Sequence, residues 1–325
     1  MQLDRQIVVY GAGAVGGGLG GLMHLAGLDV VLVARGDHLA AIRAHGLVLG
    51  LPEGTRTVDV PAVGGASEVD WSRPSAVVLT VKSQQTAAAL EDLVAWAPSA
   101  TPIACVQNGV ANERACLRHF SEVVGVNVVV PATHLEPGAV SVGSALSPGI
   151  LDCGAYPTGG SAAARMFSQA FTAAGFASRS CEVMAWKHRK LVMNLGNAVD
   201  ACFDPGEAAE ELRRRATEEG VRVLETVGTE VVDAGTERAR REGLTPTHEQ
   251  VTGSRGAGSS SRQSLLRGTG TIESDYLNGE IVLLARLHGL TAPVNQLLQE
   301  TADRMARARA RPGSGDADAL LAALS

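Results

Sequence analysis

An α/β domain with a doubly wound parallel sheet, followed by an all-helical domain, is the fold the sequence predicts. Three observations carry that expectation. Strand-forming residues run into a glycine-rich turn early in the chain, Ile7-Val8-Val9-Tyr10-Gly11-Ala12-Gly13-Ala14-Val15-Gly16. Apolar β-branched runs then recur, and they continue until about Cys181. Beyond that point such runs become scarce and the segments read as helices. The domains are therefore expected at 1–181 and 182–325.

In the first element, four β-prone residues lead into G-x-G-x-x-G, and Leu19 to Ala26 follow with a helical apolar pattern interrupted by His24. A chain with 38 glycines meets this spacing by chance often enough that the motif alone means little. The context gives it meaning, because a second apolar strand, Asp29 to Ala34, follows the break at Gly27. Strand, tight turn, helix and strand make a Rossmann unit. Gly11 permits the turn, Gly13 lets the backbone approach a pyrophosphate, and Gly16 lets the helix pack on the strand. The residues Gly11, Ala12, Gly13, Ala14, Val15 and Gly16 then offer N–H groups to the phosphates of a dinucleotide.

The position closing the second strand selects the cofactor. An NAD enzyme usually places Asp or Glu there, to accept from the ribose hydroxyl, whereas Arg35 offers a positive fork to a 2′-phosphate. NADP is the expectation; Asp37 as a ribose ligand, or Arg35 as a solvated surface residue, are the alternatives. Two further strands, Ala76 to Val81 and Thr101 to Val106, end in Lys82-Ser83-Gln84 and Gln107-Asn108-Gly109. Ligands of doubly wound sheets lie beyond the carboxyl ends of the strands, so Lys82 and Asn108 are expected to face the cofactor. Glu122 to Val130 reads as another strand. Residues Ala139 to Gly143 and Gly149 to Cys153 read as an antiparallel pair about a Ser-Pro-Gly turn. A helix from Ser161 to Ala174 and a last strand from Phe176 to Ser180 complete the domain. The second domain reads as helices over Val183 to Ala201, Glu207 to Ala234, Ile272 to His288 and Pro293 to Arg309, with Gly/Ser-rich linkers at Thr252 to Ser261 and Pro312 to Gly315.

Composition narrows the function classes. A formal net charge of −6 and the lack of a basic block argue against a nucleic-acid partner. Apolar residues at 45% and charged ones at 19% describe an ordinary globular protein. Neither a signal peptide nor a transmembrane span fits the polar opening residues, so a cytoplasmic protein with no membrane partner is expected. Cys105, Cys116, Cys153, Cys181 and Cys202 are odd in number, with neither a C-x-x-C pair nor a metal-ligand spacing, and read as reduced core thiols. No metal site is expected.

The chemistry concentrates in the second domain. Helical spacing puts Trp186, Lys190, Asn194 and Asn197 on one face, and a face of Lys with two amides suits a wet polar cleft better than core or ordinary surface. Glu273, in the first turn of a later helix, is the second candidate, although an acid there often only complements the helix dipole.

These residues resemble the ketopantoate reductases (2-dehydropantoate 2-reductases) over most of the chain. The resemblance rests on the Gly11–Gly16 turn, Val81-Lys82-Ser83, Gln107-Asn108-Gly109, Trp186 with Lys190-Leu191 and Asn194, Ser260-Ser261, Glu273 to Gly279 and Pro293-Val294-Asn295. It implies NADPH-dependent reduction of 2-dehydropantoate to (R)-pantoate, a step of pantothenate and coenzyme A biosynthesis. It implies Lys190 as general acid with Glu273 as its partner, and Asn108 holding cofactor and substrate together. Asn194 would bind the substrate hydroxyl and Ser261 its carboxylate, so that the end of the Gly/Ser stretch, Ser259-Ser260-Ser261, becomes a substrate-binding loop between helices that would order on closure of the domains around NADPH and a keto acid. Three departures lie on the substrate side: Ala198 where the family often has a second amide, so that Asn197 inherits no role; Arg262-Gln263-Ser264-Leu265 in place of Met-Leu-Gln-Asp; and Glu273-Ser274-Asp275 in place of Glu-Ile-Asp. Arg262 is either a grip on a second carboxylate or a solvated side chain. The rival readings are a relative reducing another 2-oxo acid, a 3-hydroxyacid dehydrogenase with catalytic residues placed differently, and a non-catalytic NADP-binding sensor. A small-molecule 2-oxo acid is the expected partner, and helical second domains of this sort often pair, which makes a homodimer a further expectation.

Overall fold

The computed structural model describes residues 4–144, 146–244, 258–268 and 270–324. Of the Gly/Ser stretch, 252–257 lies outside the described residues. The described chain forms two compact units, one of residues 4–107, 112–184 and 235–244, the other of 108–111, 185–234 and 258–324.

In the first unit β1 (Gln6–Tyr10), β2 (Val30–Val33), β5 (Ala62–Val63), β6 (Ser75–Leu79), β7 (Ile103–Cys105), β8 (Val123–Val129) and β11 (Ile150–Ala155) form a seven-stranded sheet in the order β11-β8-β7-β6-β1-β2-β5. All neighbours pair in parallel except β11, which runs antiparallel to β8. Alternation along β1 sends Ile7 and Val9 into the apolar core on one face and Val8 and Tyr10 into the core on the other. Such a strand, buried on both sides, reads as an unbroken apolar run. Because β2 lies on one side of β1 and β6 on the other, the strand order reverses at β1. The doubly wound topology therefore opens its crevice where the glycine turn stands.

Helix α1 (Ala14–Leu25) carries Gly16-Gly17-Gly18 and Gly20-Gly21, an expensive composition for a helix interior at about 1 kcal/mol per glycine relative to alanine. Packing explains it. A second sheet, in the order β4-β3-β10-β9, is built from β3 (Leu47–Leu51), β4 (Gly54–Val58), β9 (Ala132–Glu136) and β10 (Ala139–Val142). The helix is pressed between this sheet and the main one: a Cβ on Gly20 would meet Leu32 Cδ2 at 2.4 Å, and one on Gly18 or Gly21 would meet Val142 or Leu49 at 2.7 Å.

The sequence expectation of an antiparallel pair across Ser-Pro-Gly is corrected here. Residues 139–142 pair with β9 and β3, whereas 150–155 pair with β8, so the two runs enter different sheets. Local alternation cannot tell which partner a strand takes. The expected strand from Phe176 to Ser180 reduces to isolated bridges, Ile150 to Ala177 and Cys153 to Ser180. Helices α2 (Gly36–His45), α3 (Thr86–Trp96), α4 (Asn112–Leu117) and α5 (Ala162–Ala173) complete this unit, together with the later α9 (Ala234–Arg241). On α9, Arg240 forms a bidentate pair with the fully buried Asp152 of β11, at 2.9 and 2.7 Å.

The second unit is helical. The expected helix from Val183 to Ala201 is broken into α6 (Val183–Asn194) and α7 (Asn197–Cys202). At the break Leu195 C=O accepts from Asn278 Nδ2 at 3.0 Å, so this released carbonyl is paired through a side chain, while Gly196 C=O accepts from Asp200 N–H at 3.1 Å and from Arg213 at 3.2 Å. Asn197 thus leaves the face shared by Trp186, Lys190 and Asn194. Helix α8 (Glu207–Thr226) ends before the expected Ala234. The expected helix from Ile272 becomes a 3₁₀ turn, Glu273–Tyr276, and then α11 (Asn278–Leu287). The remaining helices are α10 (Ser260–Leu266), α12 (Pro293–Arg307) and α13 (Ala317–Ala322). The segment expected as a linker at Pro312 to Gly315 is docked instead, with Gly313 and Gly315 N–H groups donating to Ala201 and Cys202 carbonyls at 3.0 and 2.8 Å.

Candidate functional site

In the α/β unit, Gly11 has φ +110°, a backbone region that side chains disfavour, and turns β1 out of the sheet. Its carbonyl accepts from Thr80 Oγ1 at 2.7 Å, which ties the turn to the end of β6. A Cβ on Gly16 would lie 2.2 Å from Gly11 O and 2.3 Å from Thr80 Oγ1, so only glycine allows this approach. Gly13 differs: nothing stands within 4 Å of where its Cβ would be. It is the N-cap of α1, among the described residues no side chain caps that helix, and no acid lies in its first turn. Ala14, Val15 and Gly16 therefore present the free N–H groups of a helix start next to open space, the environment an anionic pyrophosphate requires. The glycine turn fits a dinucleotide. Ala12 C=O is held by His38 Nε2 at 2.7 Å while His38 Nδ1 accepts from Gly138 N–H at 2.8 Å, which fixes a neutral ring bracing the turn against β9–β10. Burial lowers the pKa of His38.

Arg35 is exposed at the N-cap of α2, immediately beyond β2. Its Nη2 donates to Tyr10 Oη at 3.1 Å, and the Tyr10 hydroxyl donates to Asp92 Oδ2 at 2.6 Å. Burial, then the adjoining Asp92 carboxylate, pushes the Tyr10 phenol up to about 12. Lys82 is half-buried and precedes a short 3₁₀ turn, Ser83–Gln85. The turns bearing Lys82 and Asn108 are braced by a buried polar network. Gln107 Nε2 donates to Val81 C=O (2.7 Å) and Thr86 Oγ1 (2.9 Å), Thr86 Oγ1 to Asn112 Oδ1 (2.8 Å), and Asn112 Nδ2 to Ser83 Oγ (3.1 Å). Ser83 and Gln107, legible in sequence only as motif letters, hold up the turns beside them.

The helical unit gathers the other predicted residues. Lys190 and Asn194 stand one turn apart on α6, both half-buried. Asn194 Nδ2 is buried and has no hydrogen-bond partner among the described residues. Glu273 is buried in its 3₁₀ turn at 6% exposure. The turn after β7 packs here too: Gly109 has φ +76°, and a Cβ on it would meet Tyr276 O at 2.8 Å, so Asn108 adjoins the turn that carries Glu273. The bond from Asn278 to Leu195 C=O ties the end of α6 to the helix that follows Glu273.

The paired serines begin a helix. Ser259 caps α10 by accepting from Arg262 N–H at 3.2 Å, its own N–H donates to Asp200 Oδ2 at 2.8 Å, and Ser261 is buried in the first turn. Arg262 is half-buried, and its Nη1 donates to Asp200 C=O at 2.8 Å. Asp200 was not singled out from sequence, and no motif marks it. Neither was Arg267, the C-cap of α10, whose guanidinium feels the charge of Glu273 while burial lowers its pKa.

Cys105 and Cys116 meet at 3.5 Å as buried free thiols, although eleven positions apart. Burial raises Cys153, and burial followed by Asp152 brings Cys181 up to about 11, so neither is a thiolate nucleophile at neutral pH. No group of metal-ligating side chains occurs among the described residues, and none of the described helices is long and apolar enough to cross a membrane.

Both halves of the chain match one family: the ketopantoate reductase PanE/ApbA model covers residues 7–157 and its C-terminal model covers 182–306. The chain belongs to the ketopantoate reductase family. Similar curated proteins include 2-dehydropantoate 2-reductases of Pyrococcus horikoshii, 30% identical over 90% of this chain and 95% of that one, and of Halobacterium salinarum, 30% identical over 91% and 97%. Among solved structures, a PanE/ApbA family ketopantoate reductase from Ralstonia eutropha JMP134 superposes with a TM-score of 0.79 at 27% identity, covering 94% of this chain and 99% of that one. D-mandelate dehydrogenase in ternary complex with NADH and anilino(oxo)acetate superposes at 0.80 with 20% identity over 94% and 99%, a likeness of fold. Membership makes the chain an oxidoreductase.

Proposed function

We propose that the chain reduces 2-dehydropantoate to (R)-pantoate with NADPH, as the names of its curated relatives suggest, and so serves pantothenate biosynthesis. The observation that carries a substrate site on α6 is the unpartnered, buried Asn194 Nδ2 one turn from Lys190. A buried N–H without an acceptor costs about 1–3 kcal/mol, a penalty that a bound hydroxyl or carboxylate would relieve.

The glycine turn would hold the pyrophosphate, Arg35 the 2′-phosphate, and Lys82 and Asn108 the nicotinamide side. When bound, the dinucleotide supplies the hydride. Protonated Lys190 would both stabilise the negative charge that reduction at C2 of the keto acid leaves on oxygen and deliver the proton that completes the hydroxyl. Glu273 orients Lys190 or accepts from a substrate hydroxyl, Asn194 donates to the substrate, and Ser261 meets its carboxylate. No metal or covalent intermediate is needed for this balance.

The test is NADPH oxidation against 2-dehydropantoate and a panel of 2-oxo acids, with Lys190→Ala as control. Removal of the general acid is expected to lower kcat by roughly 10²- to 10⁴-fold with an unchanged melting curve. Unimpaired turnover would remove Lys190 from the chemistry. A second reading, another 2-oxo acid as preferred substrate, is favoured by the buried methyl of Ala198 on α7, which offers no hydrogen bond. A higher kcat/KM for a panel acid than for 2-dehydropantoate would establish it.

A further inference from the structure

We propose that Tyr10 and Asp92 determine cofactor choice by holding Arg35 in the orientation that receives a 2′-phosphate. The inference rests on the reading of Arg35 as the phosphate ligand and extends it to two residues with no motif of their own.

The geometry is a chain of three groups from three elements. Tyr10 ends β1, Arg35 follows β2, and Asp92 lies in the middle of α3. The Tyr10 ring is buried at 2% exposure and fills core that a phenylalanine would fill equally well. Among the described residues its hydroxyl adds the two bonds already given, to Asp92 at 2.6 Å and from Arg35 at 3.1 Å. Asp92 is itself fixed, because its Oδ2 also accepts from Ala66 N–H at 2.8 Å. The chain of donors runs one way, from guanidinium to phenol to carboxylate. A hydroxyl that donates to a carboxylate becomes a better acceptor, so the bond from Arg35 is strengthened by Asp92 through Tyr10.

Two consequences follow for an anion beyond β2. An exposed arginine has many rotamers, and tethering one nitrogen selects among them before the ligand arrives, which removes part of the ordering penalty of binding. The tether also keeps the carboxylate one hydroxyl away. A direct Asp92–Arg35 pair would satisfy the guanidinium fork and repel the phosphate, whereas a phenol occupies one N–H and leaves the others for bidentate contact. Tyr10 and Asp92 are thus positioning residues acting through Arg35, with no phosphate contact required of either.

Isothermal titration of NADPH and NADH onto the full-length protein tests this, with Tyr10→Phe, Asp92→Ala, Asp92→Asn, Arg35→Ala and the double variant Arg35→Ala/Tyr10→Phe. Tyr10→Phe is expected to weaken NADPH about five- to tenfold, the worth of one ordinary net hydrogen bond, and to leave NADH within about twofold. In steady state the change falls on KM for NADPH rather than on kcat. Asp92→Ala acts in the same direction, and Asp92→Asn, which keeps an acceptor for the phenol, restores most of the preference. In the Arg35→Ala background Tyr10→Phe has no further effect. Equal weakening of both cofactors, or an effect of Tyr10→Phe that persists without Arg35, would reduce the trio to a structural bridge and overturn the proposal. Arg35→Ala alone separates the two layers. If it leaves the NADPH-to-NADH ratio unchanged, the phosphate reading and the proposal both fall. If it collapses the ratio while Tyr10→Phe does not, only the proposal falls.

Discussion

Gly13→Ala and Gly16→Ala differ by one methyl each and separate phosphate binding from folding. At Gly16 the new Cβ would sit 2.2 Å from Gly11 O and 2.3 Å from Thr80 Oγ1. Ordinary carbon–oxygen contact needs about 1 Å more, and the nearest atom is backbone, so α1 must shift away from β1 as a body. Overpacking of this kind costs about 1–3 kcal/mol and lowers the melting temperature by several degrees. At Gly13 the methyl meets nothing within 4 Å, and φ −69° with ψ −160° is open to alanine. Alanine is a poorer N-cap than glycine, but it also restricts the unfolded chain, and these effects of under about 1 kcal/mol oppose each other. Gly13→Ala is therefore expected to melt with the parent. If a pyrophosphate occupies that space, the same methyl meets it and pushes it off the first-turn N–H groups, weakening dinucleotide binding about 10- to 100-fold, the loss of one or two charged hydrogen bonds. Differential scanning calorimetry paired with titration of NADPH and NADH reads both quantities. Undiminished affinity in Gly13→Ala would refute the placement of the phosphates over Gly13, and a large fall in its melting temperature would refute the reading of that space as open.

Asn194→Ala removes a buried amide whose Nδ2 lacks a partner, so stability in the absence of ligand should hold or rise while KM for the keto acid rises about tenfold; a loss of stability in denaturant melts would contradict this. Arg240→Ala leaves the fully buried carboxylate of Asp152 with Arg179 at 3.5 Å as its remaining ion-pair partner among the described residues, and should cost about 3–5 kcal/mol by urea denaturation; a loss of under about 1 kcal/mol would contradict this. His38 is neutral where it braces the turn, and its lowered pKa means that the unfolded chain takes up the proton more readily. The stability it contributes is present above the unfolded value of 6.5 and is lost as pH falls below it, so the parent should lose more stability than His38→Gln between pH 7.5 and 5, each about one unit or more from that value. Parallel slopes for the two proteins would count against it.

The β1–α1–β2 unit was legible because each part repeats one local rule: an apolar run buried on both faces, glycines at the turn, helical spacing afterwards. The second sheet was not. In β4 the residues Gly54-Thr55-Arg56-Thr57 are exposed and have no apolar alternation, so their strand character comes only from pairing with β3. The sheet to which 139–142 belongs depends on β3 and β9, neither of which is adjacent to it by any local signal. Lys190, Asn194 and Glu273 stood out by residue type and position, and Ser261 only through the family resemblance, whereas Asp92 and Asp200 are ordinary surface letters until a fold sets them beside Tyr10 and Ser259. Proximity across elements has no periodicity to read.

The breaks in the predicted helices share a cause. An apolar helix face can slide on its neighbours at little loss, because dispersion and burial are indifferent to register, but a buried amide can be satisfied in one register only. Glu219, at 3% exposure on α8, accepts from the N–H groups of Val294 and Asn295 at 3.1 and 2.8 Å and from Asn295 Nδ2 at 2.9 Å; its charge is compensated by the start of α12. Asn295 Oδ1 then accepts from Asn278 Nδ2 at 2.9 Å, and the same Nδ2 group reaches Leu195 C=O. The last acceptor is a carbonyl that an unbroken helix through Ala201 would have used internally. Ending α6 at Asn194 therefore frees the carbonyl that locks α8, α11 and α12 to it, and Lys190 and Asn194 are held on the last two turns of a helix whose end cannot slide. The Asn278 and Asn295 letters of the family motifs act through this lock, upstream of any contact with substrate.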